Sequence, residues 1–96
     1  MSEYVFKPLP PDIANNLATL ATSVVGEPEL MNVDSFEDCA GGPARFWQVG
    51  REDQICVTIY SPDARGNACA HADGIEPDSP LGKLCQSISD DGYGHA

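Results

Sequence analysis

Residues 45–60 read RFWQVGREDQICVTIY, and this stretch decides the fold. Its two ends, 45–49 and 54–60, are rich in aromatic and β-branched residues, which favour strands. Between them, residues 50–53 have the composition of a turn. Every second residue of 55–59 is branched and apolar, so one face of the second arm is apolar. The stretch predicts a β-hairpin in a sheet that helices cover on one side only.

Upstream of the hairpin, apolar residues recur at helical spacing and predict an amphipathic helix over 11–25. Pro11 suits the first turn, where a missing N–H costs nothing, and Gly26 suits the position after the last turn. The solvent face of this helix is uncharged in a chain otherwise rich in carboxylates; it carries Asn15, Asn16, Thr19, Thr22 and Ser23. Such a face can lie in a protein interface or be an ordinary surface, and we favour the ordinary surface.

Weaker patterns complete the chain. Residues 30–33 predict a short strand before the hairpin. Residues 67–72 predict a weak third strand after it, since alanine has little β preference. Residues 73–80 have the composition of an acidic loop. Ser79 is a typical N-cap before Pro80, and it predicts a second helix with the apolar stripe Leu81, Leu84, Cys85 and Ile88.

The order of these elements predicts an α+β fold. We expect a small antiparallel sheet of three to four strands, with the hairpin at its centre, packed against an N-terminal and a C-terminal helix. At 96 residues the chain has room for one domain, 1–96, whose last residues, 90–96, are polar and expected to fray.

The charge of the chain is unusual. Fifteen Asp and Glu residues against five Lys and Arg give a formal charge of −10. With 42% hydrophobic residues the chain is too apolar for an acidic disordered segment, so it is expected to fold and to carry its charge on the surface. Such a surface repels nucleic acid and anionic membranes, and it attracts basic protein surfaces. An equally weighted alternative is that the acidity only maintains solubility.

The sequence predicts a cytoplasmic location. No apolar run approaches the roughly 20 residues that span a bilayer, and the N-terminus lacks the basic and apolar regions of a secretory signal. Because a reducing compartment disfavours disulfides, all four cysteines are expected to be free thiols: Cys39, Cys56, Cys69 and Cys85.

Cysteine and histidine side chains raise two chemical alternatives. Cys69 and His71 share one face of an extended segment, and Cys39, Cys85 or His95 would complete a tetrahedral metal site. A catalytic pair would use Cys69 or Cys39 as nucleophile and His71 as base. Neither is favoured, because the cysteines lack close pairing and an acidic surround raises the pKa of a thiol. We predict no metal, no cofactor and no catalytic residue.

Active-site motifs of other kinds are also missing from the sequence. Adjacent carboxylates, such as Glu52 and Asp53, point to opposite faces of an extended backbone and cannot clamp one substrate. No glycine-rich phosphate loop is present, and five cations are too few for direct nucleic-acid binding. The chain is therefore predicted to be a binding protein and not an enzyme.

The leading hypothesis is a non-enzymatic inhibitor or adaptor whose carboxylates occupy a basic groove made for DNA or RNA. Its expected partner is the basic surface of a nucleic-acid-binding protein or complex. In composition and size the chain resembles, as a class, the DNA-mimic and anti-CRISPR proteins of phages and mobile elements, although it carries no family motif.

The predicted partner-binding residues are carboxylates in turns and loops, together with two aromatic anchors of the hairpin. The carboxylates are Glu37, Asp38, Glu52, Asp53, Asp63, Asp73, Glu76 and Asp78. The anchors are Trp47 and Tyr60, but whichever of Phe46 and Trp47 faces the helices is expected to belong to the core. Two alternatives stay open: a metal- or thiol-dependent protein that uses its Cys and His residues, and a structural homodimer that pairs the weak third strand across a sheet edge.

Overall fold

The structure, a computed structural model, describes residues 2–33, 42–48, 55–62 and 64–94. These residues form an antiparallel sheet of five strands and two α-helices, which is an α+β fold. In chain order the elements are β1 (Ser2–Leu9), α1 (Pro11–Val25), β2 (Glu29–Val33), β3 (Gly42–Gln48), β4 (Cys56–Ile59), β5 (Ala68–Ile75) and α2 (Pro80–Ile88). Across the sheet the strand order is β1-β5-β4-β3-β2.

The predicted hairpin is present as the antiparallel pair β3 and β4. Trp47 lies opposite Val57, and Arg45 lies opposite Ile59. Val57 and Ile59 are buried, as the alternation in the second arm predicts, but Thr58 between them is buried too, so burial in β4 is not confined to one face. The predicted turn, 50–53, lies outside the described residues.

The hydrophobic core lies between one face of the sheet and both helices, which contact each other. Its largest fully buried side chains come from the strands, from α1 and from α2: Phe6, Leu9, Trp47, Val57, Ile59 and Ile75, then Leu17, then Leu81 and Cys85. Burying one large apolar side chain contributes about 1.5–3 kcal/mol, so this layer supplies most of the stability.

The first helix has the predicted bounds, 11–25. Pro11 stands in its first turn, and the amide of Gly26 donates to the carbonyl of Thr22 at 2.9 Å after its last turn. Gly26 has φ 110°, a conformation that favours glycine. Local signals at the two ends therefore set the length of this helix.

The second helix begins where the sequence predicts. The hydroxyl of Ser79 accepts a hydrogen bond from the amide of Gly82 at 3.0 Å, which is N-cap geometry. Beyond α2, residues Ser89–Tyr93 form a π-helical turn, and Gly94 bridges to Phe6 of β1. The segment predicted to fray, 90–96, is described as far as Gly94.

The predicted count of three to four strands is wrong, because the N-terminal residues form a fifth strand. β1 pairs antiparallel with β5, with Tyr4 opposite Ala72 and Phe6 opposite Ala70. The sequence pattern marks residues 4–6 only as a short apolar stretch before several prolines. Pairing with a strand so distant in sequence leaves no local signal.

The weak third strand predicted at 67–72 is the central strand of the sheet, flanked by β1 and β4. It is also longer than predicted, since residues 73–75 belong to β5 and not to the acidic loop. Ala68, Ala70 and Ala72 are all buried beneath the helices. Small side chains let the helices pack close to the sheet here, so packing overrides the low β preference of alanine.

The described helices include none with the length and apolar character needed to cross a membrane.

Candidate partner-binding surface

Half of the ten predicted partner-binding residues fall within the described chain. These are Trp47, Tyr60, Asp73, Glu76 and Asp78. The other five, Glu37, Asp38, Glu52, Asp53 and Asp63, lie outside the described residues.

Every carboxylate side chain in the described part of the chain is exposed. They number nine: Glu3, Asp12, Glu27, Glu29, Asp73, Glu76, Asp78, Asp90 and Asp91. Among the described residues, only Glu3 of these nine is in an ion pair, with Oε2 3.1 Å from Nε2 of His71, which carries charge only when protonated. No Lys or Arg of the described ranges therefore forms an ion pair with any of these nine acids. Their charge faces solvent.

Three of the predicted acids lie close together along the chain, where β5 leads into α2. Asp73 is on β5, and its carboxylate accepts from the amide of Gly74 at 2.8 Å. Glu76 and Asp78 are in the turn that follows. That turn is held by the carbonyl of Glu76, which accepts from the amide of Ser79 at 3.0 Å and from its hydroxyl at 2.6 Å. These hydrogen bonds fix the backbone from which the two acidic side chains extend.

Of the two hairpin aromatics, the structure places Trp47 in the core, with 1% of its side chain exposed. Its indole N–H donates to the hydroxyl of Thr22 at 3.2 Å, and the guanidinium of Arg45 lies 5.8 Å from its ring centre. Trp47 therefore has almost no surface to offer a partner. Phe46 is half-buried on the opposite face of the sheet.

Tyr60, the other predicted anchor, is half-buried just after β4. Its amide donates to the carbonyl of Cys69 at 2.9 Å, which fixes the backbone beside β5. Burial raises the pKa of its hydroxyl, and the nearby Cys56 raises it further. The side chain is therefore a neutral hydrogen-bond donor and acceptor near pH 7, as interface tyrosines commonly are.

The expectation of four free thiols is wrong, because Cys69 is disulfide-bonded. Cys56 and Cys85 are free. Burial raises the pKa of Cys85 to about 12. The pKa of Cys56 is also raised, first by burial and then by the charge of Asp73, while a hydrogen bond with Thr58 acts in the opposite direction. Neither free cysteine is a ready thiolate at neutral pH.

We expect alkylation to distinguish these three cysteines. Iodoacetamide should label Cys56 in the native protein, and more slowly than in the unfolded chain at equal pH, because a raised pKa leaves less thiolate. Cys85 should react only after unfolding, because it is buried. Cys69 should react only after reduction. Peptide mass spectrometry reads out each site, and label on Cys69 in denatured, unreduced protein would contradict the disulfide.

The metal and catalytic alternatives gain no geometric support. Ala70 and Ala72 face the helices, so Cys69 and His71 lie on the other side of β5, whereas Cys85 is buried in the core on the helix side. The sheet thus separates Cys85 from His71. In the ranges 2–33, 42–48, 55–62 and 64–94, no three His, Cys, Asp or Glu side chains converge on a common point. Cys39 and His95 lie outside those ranges.

The uncharged face of α1 borders a groove of about 390 Å³. Asn15, Thr19 and Thr22 line one side of it, and Arg45 of β3 lines the other. Their spacing along α1 puts these three side chains in one row, which was visible in the sequence. The sequence alone favoured an ordinary surface because the position of β3 beside the helix was not known.

Comparison with known protein families, with curated proteins and with solved structures finds no match to this chain.

Proposed function

We propose that the protein is a non-enzymatic inhibitor or adaptor that binds the basic surface of a nucleic-acid-binding protein or complex. Its carboxylates take the place of phosphates there. The observation that carries this proposal is the exposure of all nine described carboxylates, eight of them outside any ion pair within the described chain. A protein that used its acids for internal ion pairs would leave far less charge for a partner.

Charge density supports mimicry of a nucleic acid. The molecule measures 34 × 27 × 21 Å along its principal axes. A DNA duplex carries one negative charge per about 1.7 Å, or about 20 charges over a comparable length. The chain has fifteen Asp and Glu residues, and its formal net charge of −10 is about half that of such a duplex. A basic groove that binds a duplex therefore also attracts this protein, and long-range attraction speeds their encounter.

On the basis of composition and size, we propose a protein of the DNA-mimic or anti-CRISPR kind, which comes from a phage or mobile element and acts in the cytoplasm. The disulfide at Cys69 is in tension with that location, since stable disulfides are typical of oxidising compartments. Partner capture is therefore best done with and without reductant.

The alternative hypothesis was a homodimer that pairs the weak third strand across a sheet edge. That strand, β5, is not at an edge of the sheet. β5 is hydrogen-bonded on both sides, to β1 and to β4, and has no open edge. A metal- or thiol-dependent function has no observation in its favour among the described residues.

Reversing the acids at the end of β5 tests the proposal. A triple variant, Asp73→Lys with Glu76→Lys and Asp78→Lys, should weaken partner binding about 10- to 100-fold at low salt, because rim charges act mainly through attraction and approach. The loss should shrink as salt rises, because the ions screen exposed charges. Partners are first captured from bacterial lysate on the tagged protein, and affinity is then measured by calorimetry across a salt series.

The matched control keeps the same three positions but makes them neutral: Asp73→Asn, Glu76→Gln and Asp78→Asn. At low salt, the affinity of this neutral variant for the partner should lie between those of the native protein and the charge-reversed variant. Capture of no basic protein, or equal affinity of all three proteins at low salt, would count against charge mimicry.

A further inference from the structure

The two edges of the sheet differ in how well they are protected against pairing with another chain. β1 carries Lys7 and Pro8, and its pairing with β5 has two register irregularities. Gly94 also bridges to Phe6 on β1. Lysine, proline, irregular register and a covering segment are the usual ways in which an edge strand is kept from pairing with another chain. β1 has all four.

β2, at the other edge, lacks lysine and proline, and its five residues pair with β3 in unbroken register. Leu30 is 78% exposed and Met31 39% exposed. Val24, in the last turn of α1, is 44% exposed. Among the described residues, these three are the exposed large apolar side chains, and all lie within 24–31. Leu30 and Met31 are neighbours on β2 and point to opposite faces of the sheet, so exposed apolar surface is present on both sides of this edge.

Each face of the sheet has a cleft near β2; the one on the helix side is lined by residues of α1 and β3 and by Glu27 and Pro28, which precede β2. On the helix side is the 390 Å³ groove, where Arg45 lies opposite Leu30. On the opposite face is a cleft of about 170 Å³ that includes Glu29 and Phe46, which are also paired. A strand added to β2 would send successive side chains to alternate faces. It would therefore place them beside both clefts.

Charge indicates what such a strand carries. The smaller cleft is lined by two carboxylates, Glu27 and Glu29, and by no cation. This cleft therefore suits a Lys or Arg side chain of the added strand. The groove on the side of Leu30 is lined by uncharged polar groups, by Arg45, which is in no ion pair with a described residue, and by Glu27, which lines both clefts. Because one cation and one carboxylate balance there, that side suits an apolar residue packed on Leu30 better than it suits a second cation.

We propose that the outer edge of β2 is a strand-addition site for an extended basic segment of the partner, with Lys or Arg at alternate positions and apolar residues between them. Backbone hydrogen bonds to β2 provide affinity, and the two clefts provide specificity. The basic character of the segment rests on the proposed function. The position of β2 at the edge of the sheet formed by the described residues, the exposed Leu30 and the two clefts are independent of it.

A phage-displayed library of random short peptides, selected on the immobilised protein, tests this site. Enriched peptides should alternate Lys or Arg with apolar residues. Leu30→Lys and Glu29→Lys should each lower the affinity for a synthesised enriched peptide at least tenfold. Both positions are exposed, so the fold should tolerate the substitutions. Ser87→Lys, on the exposed side of α2, is the matched control and should bind as the native protein does. Peptide binding should also slow amide hydrogen exchange in β2.

Several results would overturn the site. One is enrichment of no peptide, or of peptides without the alternating pattern. Another is equal binding by the Leu30→Lys, Glu29→Lys and native proteins. A solution mass of twice 10.2 kDa that Leu30→Lys abolishes would assign the edge to a second copy of the chain.

The two proposals fail separately. If the reversed Asp73, Glu76 and Asp78 variant binds the captured partner unchanged while peptides still require Leu30, charge mimicry fails and the edge site stands. If charge reversal at these three acids weakens binding of the captured partner but no peptide binds β2, the edge site fails and charge mimicry stands.

Discussion

Replacing Trp47 by alanine is expected to lower the free energy of unfolding by about 3–5 kcal/mol. The side chain is fully buried between the sheet and α1, and it is the only tryptophan of the chain. Removing it leaves a large cavity and also leaves Thr22 without its indole donor. Domains of this size have total stabilities of about 5–15 kcal/mol, so the variant should be near the limit of folding. Urea denaturation followed by circular dichroism measures the change.

Two milder variants separate packing from hydrogen bonding at this site. Trp47→Phe keeps an aromatic ring and should therefore lower the free energy of unfolding by less than Trp47→Ala does. Thr22→Val keeps the shape of the threonine and removes the acceptor, at a cost of about 1 kcal/mol, since a buried donor is left unpaired. A loss below about 1 kcal/mol in Trp47→Ala would show that this residue is not the core anchor described above.

Gly82→Ala in α2 should be destabilising by about 1–3 kcal/mol, opposite to the usual effect in a helix. Glycine inside a helix normally costs up to about 1 kcal/mol relative to alanine. Here a Cβ would overlap the carbonyl oxygen of Glu76 and lie 2.9 Å from the Cα of Pro77. Both are backbone atoms of the turn after β5, so neither can rotate away. Glycine is required because the turn packs directly on the helix.

Ser87→Ala is the control for this effect, since Ser87 is exposed in the same helix. It should change stability by a few tenths of a kcal/mol in the favourable direction. Thermal unfolding of both variants gives the comparison. A Gly82→Ala protein that is as stable as Ser87→Ala would show that α2 is not pressed against the turn.

Both helices were predictable because their ends carry local signals. Pro11 and Gly26 bound the first, and Ser79 with Pro80 begins the second. These residues act through their own backbone and capping preferences, which need no distant partner. The hairpin strands were predictable for a similar reason, since β-branched residues alternate over a few positions.

The rest of the sheet depends on contacts between distant segments. Ala68, Ala70 and Ala72 indicate only a weak strand by themselves, yet they lie at the centre of the sheet because two helices pack over them. The same limit applies to the candidate site. Exposure of the acids followed from composition, but the place of Leu30 at an edge of the described sheet depends on β2 being last in the strand order, which local sequence does not encode.

The pairing of β1 with β5 also determines when the molecule can fold during its synthesis. β1 is translated before every other strand, but Val5 pairs with His71, which the ribosome adds much later. Until then the apolar side chains of β1 have no strand to pair with, and a product cut short before β5 lacks the centre of its sheet. Long-range pairing of this kind slows folding and lengthens the exposure of apolar segments in the nascent chain. The sheet is therefore completed only after β5 has been translated.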